Sequence, residues 1–245
     1  MASLVECGKG LGVDLGGTKT VTVLGDGELV RNELGGHETA SLVSFKPRER
    51  LVGEVAVNQA SASPRTTVIS PHLMVGVDYS AWSAGPLVNH LAFSHSEADG
   101  PLGGVKVSVE REGGEQTFTG TELLAMLIAK LRSCAMKRVG ETGDLRLGCF
   151  SCSPAASLTH RRAVLDAAKI AGFQEAKVFT APECLCAAYA QKHPVLPGAD
   201  PEPILMVDMG HLQTSISVSR FSYISRGEDD MMVDGEDRKE ANGAG

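Results

Sequence analysis

Short apolar runs separated by polar turns make up the first forty-five residues of the chain. Leu11–Leu15 and Thr20–Leu24 are two such runs, and Asp26-Gly27 follows them with a dipeptide typical of a hairpin turn. Ala40–Phe45 is a third apolar run, closed by a polar segment at Pro47. The pattern predicts three consecutive β-strands.

The next segment changes from strand-like to helical character and back. Gly53–Ala62 has the composition of a short helix, and Thr67–Val75 is a weaker helical stretch that contains Pro71. Proline inside a helix removes a hydrogen-bond donor and clashes with the preceding turn, so this second helix is expected to be distorted or short. Residues 105–109 and 116–118 then predict a hairpin around two glycines.

A long amphipathic helix is predicted to begin at Thr119. Thr119 and Glu122 have the spacing of a capping box, in which each side chain bonds the backbone N–H of the other residue. Gly140 is a typical stop signal for the same helix. The apolar positions between them recur at helical spacing: Leu123, Met126, Leu127, Leu131 and Cys134.

Strands and helices alternate from residue 145 onward. The predicted elements are strand Leu145–Cys152, helix Ser157–Ala171, strand Ala176–Phe179, helix Pro182–Gln191, strand Ile204–Asp208 and strand Thr214–Val218. Strands first and strand–helix alternation afterwards are typical of an α/β fold, a mixed sheet with helices on both faces. This sheet is expected to contain the strands near Leu11–Leu15, Thr20–Leu24, Ala40–Phe45, Leu145–Cys152 and Ile204–Asp208.

Composition narrows the class of protein. The 245 residues carry 23 Lys and Arg against 30 Asp and Glu, a formal net charge of −7, and 4% are aromatic. An acidic chain with few aromatic residues is a poor partner for nucleic acid or for an anionic membrane. The six cysteines lack the spacing of a disulfide framework, and the sequence has neither a membrane-spanning apolar run nor an export signal. These features favour a cytoplasmic protein.

Three regions are predicted along the chain. Residues 1–10 are a short N-terminal extension, residues 11–220 form the α/β domain, and residues 221–245 are rich in Asp and Glu with few large apolar side chains. A segment of that composition cannot bury enough apolar surface to fold. The last region is therefore expected to be an acidic, disordered tail.

The most informative segment joins the first two predicted strands. Asp14 is followed by Gly16 and Gly17, and then by Thr18 and Lys19. Glycines allow backbone N–H groups to approach phosphate oxygens, the Thr18 hydroxyl adds a donor, and Asp14 can hold a hydrated Mg²⁺ ion through water. The segment predicts a phosphate-binding hairpin, with an ordinary tight turn as the alternative.

A second unit of the same kind lies near the end of the domain, where Asp208 and Gly210 again follow an apolar strand. Both aspartates lie at the carboxyl ends of strands, where open α/β sheets place their ligands. Asp14 and Asp208 are therefore expected to face each other across one cleft. Actin-like ATPases and sugar kinases use two strand–Asp–turn units to hold a nucleotide's phosphates from two sides.

Many further residues resemble, in order, the 70-kDa heat-shock chaperone (Hsp70) family. The matching positions are Arg50-Leu51-Val52-Gly53-Glu54, Ala56, Asn58-Gln59, Pro64, Thr67-Val68, Arg161, Ala163, Asp166-Ala167, Ile170-Ala171-Gly172, Pro182 and Ala188-Tyr189. The resemblance covers the first half of the family's nucleotide-binding domain. It implies a ribonuclease-H-like, actin-type ATPase lobe that binds ATP or ADP with Mg²⁺. It also implies a role in protein folding and the stress response, with unfolded proteins or co-chaperones as partners.

Three departures from the family's pattern bear on hydrolysis. His72 stands at the position of a lysine that holds the attacking water, and Ala181 stands at that of a glutamate in the Mg²⁺–water shell. The second phosphate loop, residues 208–215, has lost two glycines, a threonine and an aspartate. Each such loss commonly costs ~10²-fold or more in rate, because a fixed donor no longer meets the transition-state charge. The chain is expected to bind ATP weakly and to hydrolyse it negligibly. His72→Lys with Ala181→Glu should not restore hydrolysis, because the resemblance covers one lobe of the cleft.

Two other functions stay open on the sequence alone. Residues 14–19 also match the phosphate signature of sugar kinases, although the sequence lacks their catalytic Asp in a sugar-binding loop and a cysteine-rich zinc motif. A non-catalytic docking module that associates with ribosomes or a co-chaperone is the third interpretation. Cys149 and Cys152 form a C-x-x-C motif within a strand, where the two side chains face opposite sides, so they are interpreted as structural thiols.

Overall fold

The computed structural model of the protein describes residues 10–100, 103–140 and 145–223. In chain order the strands are β1 (Gly10–Asp14), β2 (Lys19–Leu24), β3 (Glu38–Ala40), β4 (Leu42–Phe45), β5 (Arg50–Val52), β6 (Thr67–Ile69), β7 (Ser94–Glu97), β8 (Val105–Arg111), β9 (Gly114–Thr119), β10 (Leu147–Cys152), β11 (Glu175–Thr180), β12 (Pro203–Met209) and β13 (Thr214–Arg220). The α-helices are α1 (Val57–Ala62), α2 (Tyr79–Ser83), α3 (Gly120–Val139), α4 (Leu158–Ile170) and α5 (Ala181–Lys192). The predicted extension over 1–10 and the predicted tail over 221–245 lie almost entirely outside the described residues.

The main sheet has five strands in the order β11-β10-β1-β2-β3. β1 pairs in parallel with β10, and β10 with β11, while β2 and β3 extend the sheet antiparallel. α3 and α4 pack against each other and against the sheet, and α5 contacts β10, β11 and the β12–β13 hairpin. This mixed sheet with helices on both faces is the ribonuclease-H-like architecture that the sequence predicts.

The core lies between the sheet and α3, whose inward face follows the predicted apolar spacing. Its buried residues include Leu123, Leu127, Ile128 and Leu131. The capping box at its start is formed, because the Glu122 N–H donates to the Thr119 hydroxyl (3.2 Å) and the Thr119 N–H donates to the Glu122 carboxylate (2.8 Å). No helix among the described residues has the length and apolarity needed to cross a membrane.

The predicted third strand, Ala40–Phe45, is two strands that belong to different sheets. β3 stays in the main sheet, whereas β4 pairs with β5 and β6 in a separate antiparallel sheet. The break falls at the buried Ser41, whose N–H donates to the Thr18 carbonyl (2.8 Å) and whose hydroxyl donates to the Gly16 carbonyl (2.8 Å). The prediction of one strand is wrong because Ser41 is buried and bonded to residues distant in sequence, so it reads locally as one more position of an apolar run.

The prediction that Ile204–Asp208 joins the main sheet is also wrong. β12 and β13 form their own antiparallel hairpin, and the edge position beside β10 is taken by β11, which α4 returns to the same sheet in parallel. Met206 is the buried residue of β12 and contacts Cys186 of α5. The opposite face of the hairpin exposes apolar side chains: Leu205, Val207, Met209, Ile216 and Val218.

Thr67–Val75, predicted as a weak helix, is a strand followed by one 3₁₀ turn. β6 ends at Ile69, Ser70 adopts φ = 50°, and Pro71–Met74 form the turn. A positive φ is uncommon for a residue with a side chain and marks a sharp change of chain direction. Pro71 then supplies the fixed φ that suits the first residue of a helical turn. The change of direction places His72 in a buried position.

Candidate functional site

A cavity of about 520 Å³ lies between the β1–β2 turn and the β12–β13 turn. Several residues that the sequence singled out line it together: Asp14, Gly16, Gly17, His72, Ala181, Asp208 and Gly210. They come from chain segments separated by as much as 196 positions, from residue 14 to residue 210. The fold therefore brings both strand–Asp–turn units to one concave site.

Two of the predicted phosphate-binding residues, Thr18 and Lys19, are not among the lining residues. Lys19 is exposed and forms an ion pair with Glu38 on the neighbouring strand β3. The hydrogen bond and the charge of Glu38 raise the pKa of Lys19. The side chain of Thr18 is exposed. The structure thus brings the glycine turn to the cavity but not the two side chains that follow it.

The turn between β1 and β2 is closed so tightly that glycine is required. A Cβ atom on Gly16 would lie 2.1 Å from the Lys19 carbonyl oxygen, far inside any contact that a real Cβ makes. A Cβ on Gly17 would lie 2.6 Å from Cδ1 of Leu212, so this leucine from the second turn packs directly on the first. Leu212 therefore covers backbone that a ligand would otherwise approach.

Ser151 of β10 connects the first aspartate to the turn, and sequence reasoning missed it. Its hydroxyl donates to the Asp14 carboxylate (2.5 Å) and accepts a hydrogen bond from the Leu15 N–H (3.0 Å). A hydroxyl has one proton and two lone pairs, so it can make both bonds at once. Ser151 fixes the orientation of the Asp14 carboxylate. No local motif marks this serine, because its partners are 136 and 137 positions away.

Two further serines hold the carbonyl groups of the same turn. The Ser41 hydroxyl donates to the Gly16 carbonyl (2.8 Å), and the Ser70 hydroxyl donates to the Gly17 carbonyl. Each serine lies where the chain leaves one strand and changes direction. The turn is thus held by hydroxyl groups from separate elements, and the sequence carries no signal for this convergence.

The cavity lining is poor in positive charge. It contains the carboxylates of Asp14 and Asp208, and none of its described residues is lysine or arginine. The only described residues in it that can become cations are His72, His90, His160 and His211. An anionic ligand in this cavity therefore needs a metal ion or a proton to offset the two carboxylates.

His72 is the most deeply buried of these histidines, and it is 9% exposed. Its Nδ1 atom is buried and has no hydrogen-bond partner among the described residues. Burial, and to a smaller extent the nearby His160, lower the pKa of His72 from 6.5 to about 4. The imidazole is therefore neutral at neutral pH, unlike the lysine that the family resemblance places at this position.

Acid is expected to destabilise the protein through His72. The unfolded chain binds a proton below pH 6.5 that the folded chain excludes down to about pH 4, so stability is complete above pH 6.5 and falls as the pH drops through this window. The free energy of unfolding decreases by about 3 kcal/mol over this window. Urea denaturation at pH 7.5 and 4.5 should show this loss in the wild type but not in His72→Gln, while the exposed-site variant His37→Gln behaves like the wild type. Equal losses in wild type and His72→Gln would contradict a buried neutral imidazole.

The donor set fits a Mg²⁺ ion held through water and not a metal ion held directly. Among the described residues no group of three or more His, Cys, Asp or Glu is arranged to hold a metal. Asp14 and Asp208 offer carboxylate oxygens from two turns of the cavity lining, and Mg²⁺ in proteins usually keeps several waters and takes one or two carboxylates. Ala181, at the start of α5, adds no oxygen ligand.

The thiols near the cavity have the properties of structural cysteines. Burial is the main cause that raises the pKa of Cys152, and burial likewise raises the pKa of Cys184. Cys149 is half-buried and Cys152 is buried, and they lie on opposite faces of β10, as the sequence predicts for a strand. Protonated thiols of this kind are poor nucleophiles and poor metal ligands.

The strand order of the main sheet and the two strand–Asp–turn units on one cavity define the class as an actin-like ATPase fold. The family model described as "Hsp70 protein" matches residues 10–232. The chain belongs to the Hsp70 family, as the resemblance predicted.

Three relatives illustrate the similarity. A ribosome-associated molecular chaperone of Eremothecium gossypii is 29% identical over 73% of this chain and 29% of its own length. The "Chaperone protein DnaK" of Akkermansia muciniphila is 29% identical over 85% of this chain and 31% of its own length. The "Heat shock 70 kDa protein 2" of Paracoccidioides lutzii is 29% identical over 73% of this chain and 27% of its own length. The chain thus spans about three tenths of the length of the curated relatives it matches.

Proposed function

We propose that the cavity binds the phosphates of ADP or ATP together with Mg²⁺, and that the chain serves as a weakly binding, non-hydrolysing part of a cytoplasmic chaperone. The single observation that carries the proposal is the convergence of the Asp14 turn and the Asp208 turn on one cavity. Membership of the Hsp70 family supports it, because the matched relatives are named as chaperones.

Each residue of the cavity has a defined task under this proposal. Asp14, held by Ser151, and Asp208 accept hydrogen bonds from waters of the Mg²⁺ ion, which neutralises phosphate charge when it is bound. Gly16 and Gly210 let a phosphate approach the backbone of the two turns, because neither presents a side chain. No described residue of the lining supplies a fixed cation for the phosphates.

Three features favour weak binding and negligible hydrolysis. His72 is neutral, Ala181 cannot orient water, and Leu212 covers Gly17. Catalysis of phosphoryl transfer depends on fixed positive groups and on a positioned water, so the loss of these groups removes rate more than it removes binding. We expect a dissociation constant for MgADP on the order of 1 mM, and no turnover of ATP above the uncatalysed rate.

Calorimetric titration of the full chain with MgADP tests the nucleotide site. Asp14→Asn keeps the size of the side chain but removes its charge, and it should weaken MgADP binding about tenfold or more. Metal-free ADP, which the carboxylate repels, should bind to Asp14→Asn at least as tightly as to the wild type. Asp26→Asn, in the exposed turn after β2, is the matched control and should bind like the wild type. Micromolar affinity with ATP turnover would contradict the weak, non-hydrolysing site, and identical binding by Asp14→Asn and wild type would contradict the role of Asp14.

We propose that the partners are unfolded proteins or co-chaperones, as in the chaperone family. The docking-module alternative is supported by the similarity to a ribosome-associated molecular chaperone. The net charge of −7 favours a protein contact on such a particle over a contact with its RNA. Co-sedimentation with ribosomes at increasing salt distinguishes the two contacts, since an RNA contact weakens steeply with salt.

The family match favours this chaperone class over a sugar kinase, and a glucose or N-acetylglucosamine phosphorylation assay should give no product.

A further inference from the structure

The cavity offers a phosphate ligand no permanent positive side chain among the residues that the structure describes. None of these lining residues is lysine or arginine, and the nearest lysine along the turn, Lys19, is paired with Glu38 outside it. The lining carries two carboxylates, which repel a phosphate unless a cation accompanies it. A Mg²⁺ ion on Asp14 and Asp208 offsets those carboxylates. Apart from the backbone N–H groups of the two turns, only side chains that acquire a proton can meet the remaining phosphate charge.

His72 and His160 are placed to be those groups. His72 lies in the 3₁₀ turn Pro71–Met74 and lines the cavity. Its buried Nδ1 atom has no hydrogen-bond partner among the described residues. His160 lies in the first turn of α4, close enough to His72 for its charge to lower the pKa of His72. The other elements around them add Asp14 from β1, Cys152 from β10, Asp208 from β12, His90 from the 3₁₀ helix Pro86–His90, and His211 from the β12–β13 turn. α3, which packs against the same 3₁₀ turn, contributes no residue to the described lining.

The hydrogen bond of His160 fixes which of its nitrogens carries the hydrogen in the neutral ring. Its Nδ1 lies 3.0 Å from the Val75 carbonyl oxygen, and a carbonyl only accepts, so Nδ1 carries the hydrogen. In the neutral ring Nε2 then has a free lone pair. A proton gained at Nε2 becomes a donor that a phosphate oxygen can accept, while the bond to Val75 is kept.

We propose that a phosphate group enters this cavity together with a proton, which is taken up by the His72–His160 pair, so that affinity for the ligand rises as the pH falls. This inference rests on the proposed function, because it concerns the same cavity. In the free protein burial lowers the pKa of both rings, and the Arg161 charge lowers that of His160 further. A bound phosphate supplies the negative charge that reverses this effect, so the two rings act as an inducible cation in place of a lysine.

Linkage gives the size of the effect. Uptake of one proton on binding makes the association constant rise about tenfold per pH unit between the pKa values of the bound and the free state. His72 begins from a free-state pKa of about 4. The dependence should therefore continue down to about pH 4, and at pH 5.5 the free ring is still largely neutral.

The test measures binding of MgADP, and separately of inorganic phosphate, to the full chain at pH 7.5 and pH 5.5. Wild type, His72→Gln and His72→Lys are compared, so that protonation of the ligand itself cancels between them. Between pH 7.5 and pH 5.5, the factor by which the affinity of the wild type increases should be at least ten times the factor for His72→Gln. His72→Lys should bind more tightly than the wild type at pH 7.5 and lose most of the pH dependence. Nitrogen chemical shifts of the His72 ring, with and without MgADP at pH 6.5, report the proton uptake directly even where a variant fails to fold.

The outcomes separate the two proposals. Binding with the same pH dependence in wild type and His72→Gln, together with a His72 ring that stays neutral when MgADP is bound, overturns the proton uptake and leaves the nucleotide site standing. Absence of MgADP and phosphate binding in all three proteins at both pH values overturns the proposed function itself. Binding of inorganic phosphate with the full pH effect assigns the uptake to the phosphate group alone, whereas an effect seen with MgADP only assigns it to the metal–nucleotide complex.

Discussion

Replacing Phe150 by alanine is expected to lower the free energy of unfolding by about 3–5 kcal/mol. Phe150 is 1% exposed and lies on β10, which pairs in parallel with both β1 and β11. Its ring packs edge-to-face on the ring of Phe173, with the two centroids 5.8 Å apart. The loss combines the transfer free energy of a buried ring with the cost of a cavity that the surrounding sheet cannot fill. Urea denaturation followed by circular dichroism measures the change.

A matched exposed position separates this effect from a general response to alanine. Leu158 begins α4 and is 85% exposed, so Leu158→Ala should change stability by no more than about 0.5 kcal/mol. A loss below about 1 kcal/mol for Phe150→Ala would mean that the β10 side of the core is loosely packed, contrary to the structure.

Gly16→Ala is expected to abolish detectable MgADP binding. The added Cβ would lie 2.1 Å from the Lys19 carbonyl oxygen, so the turn has to open and Gly16 and Gly17 move away from Ser41 and Ser70. A stability loss of about 1–3 kcal/mol should accompany the change, since the clash is with backbone that cannot rotate away. Calorimetric titration and urea denaturation of the same preparation measure the two effects.

The control is a turn glycine far from the cavity. Gly113 joins β8 to β9 with φ = 97° and open space around its Cα, so Gly113→Ala strains the backbone by roughly 1–3 kcal/mol without a clash. Its MgADP binding should equal that of the wild type. If Gly16→Ala bound MgADP as well as Gly113→Ala does, the β1–β2 turn would not be the phosphate-binding element.

The elements that the sequence predicted correctly are those with a local cause. α3 follows from a capping box, a helical apolar period and a terminal glycine, all within about twenty residues. β10, α4, β11 and α5 follow from regular alternation with clear stop signals. Two errors concern pairing: Ala40–Phe45 splits at Ser41, and β12 pairs with β13 alone. A third concerns the type of element, because Thr67–Val75 is a strand and a 3₁₀ turn where a helix was predicted. The sheet that a strand joins depends on residues distant in sequence, so local patterns do not predict it.

The same division holds for the candidate site. Asp14, Gly16, Asp208 and His72 were identified from glycine spacing and from the family resemblance, and they line one cavity. Leu212 and the three serines were not identified as contacts, because a leucine in a turn, or a serine in a strand or at its end, carries no chemical signature until the fold gives it a partner. Lys19 has the appropriate charge for phosphate, but β-strand geometry pairs it with Glu38 instead.

The bond from Ser151 to Asp14 also sets an order of events for a chain as it is synthesised. β1 and β2 are neighbours in sequence and can pair as soon as both have emerged, but the Asp14 carboxylate waits 137 further residues for its partner. Until β10 arrives, β1 keeps one edge unpaired and open to other strands. Closing so long a loop costs little more free energy than closing a shorter one, yet it delays folding. A nascent chain therefore completes the Asp14 side of the cavity late, after a period in which the β1–β2 hairpin keeps this edge unpaired.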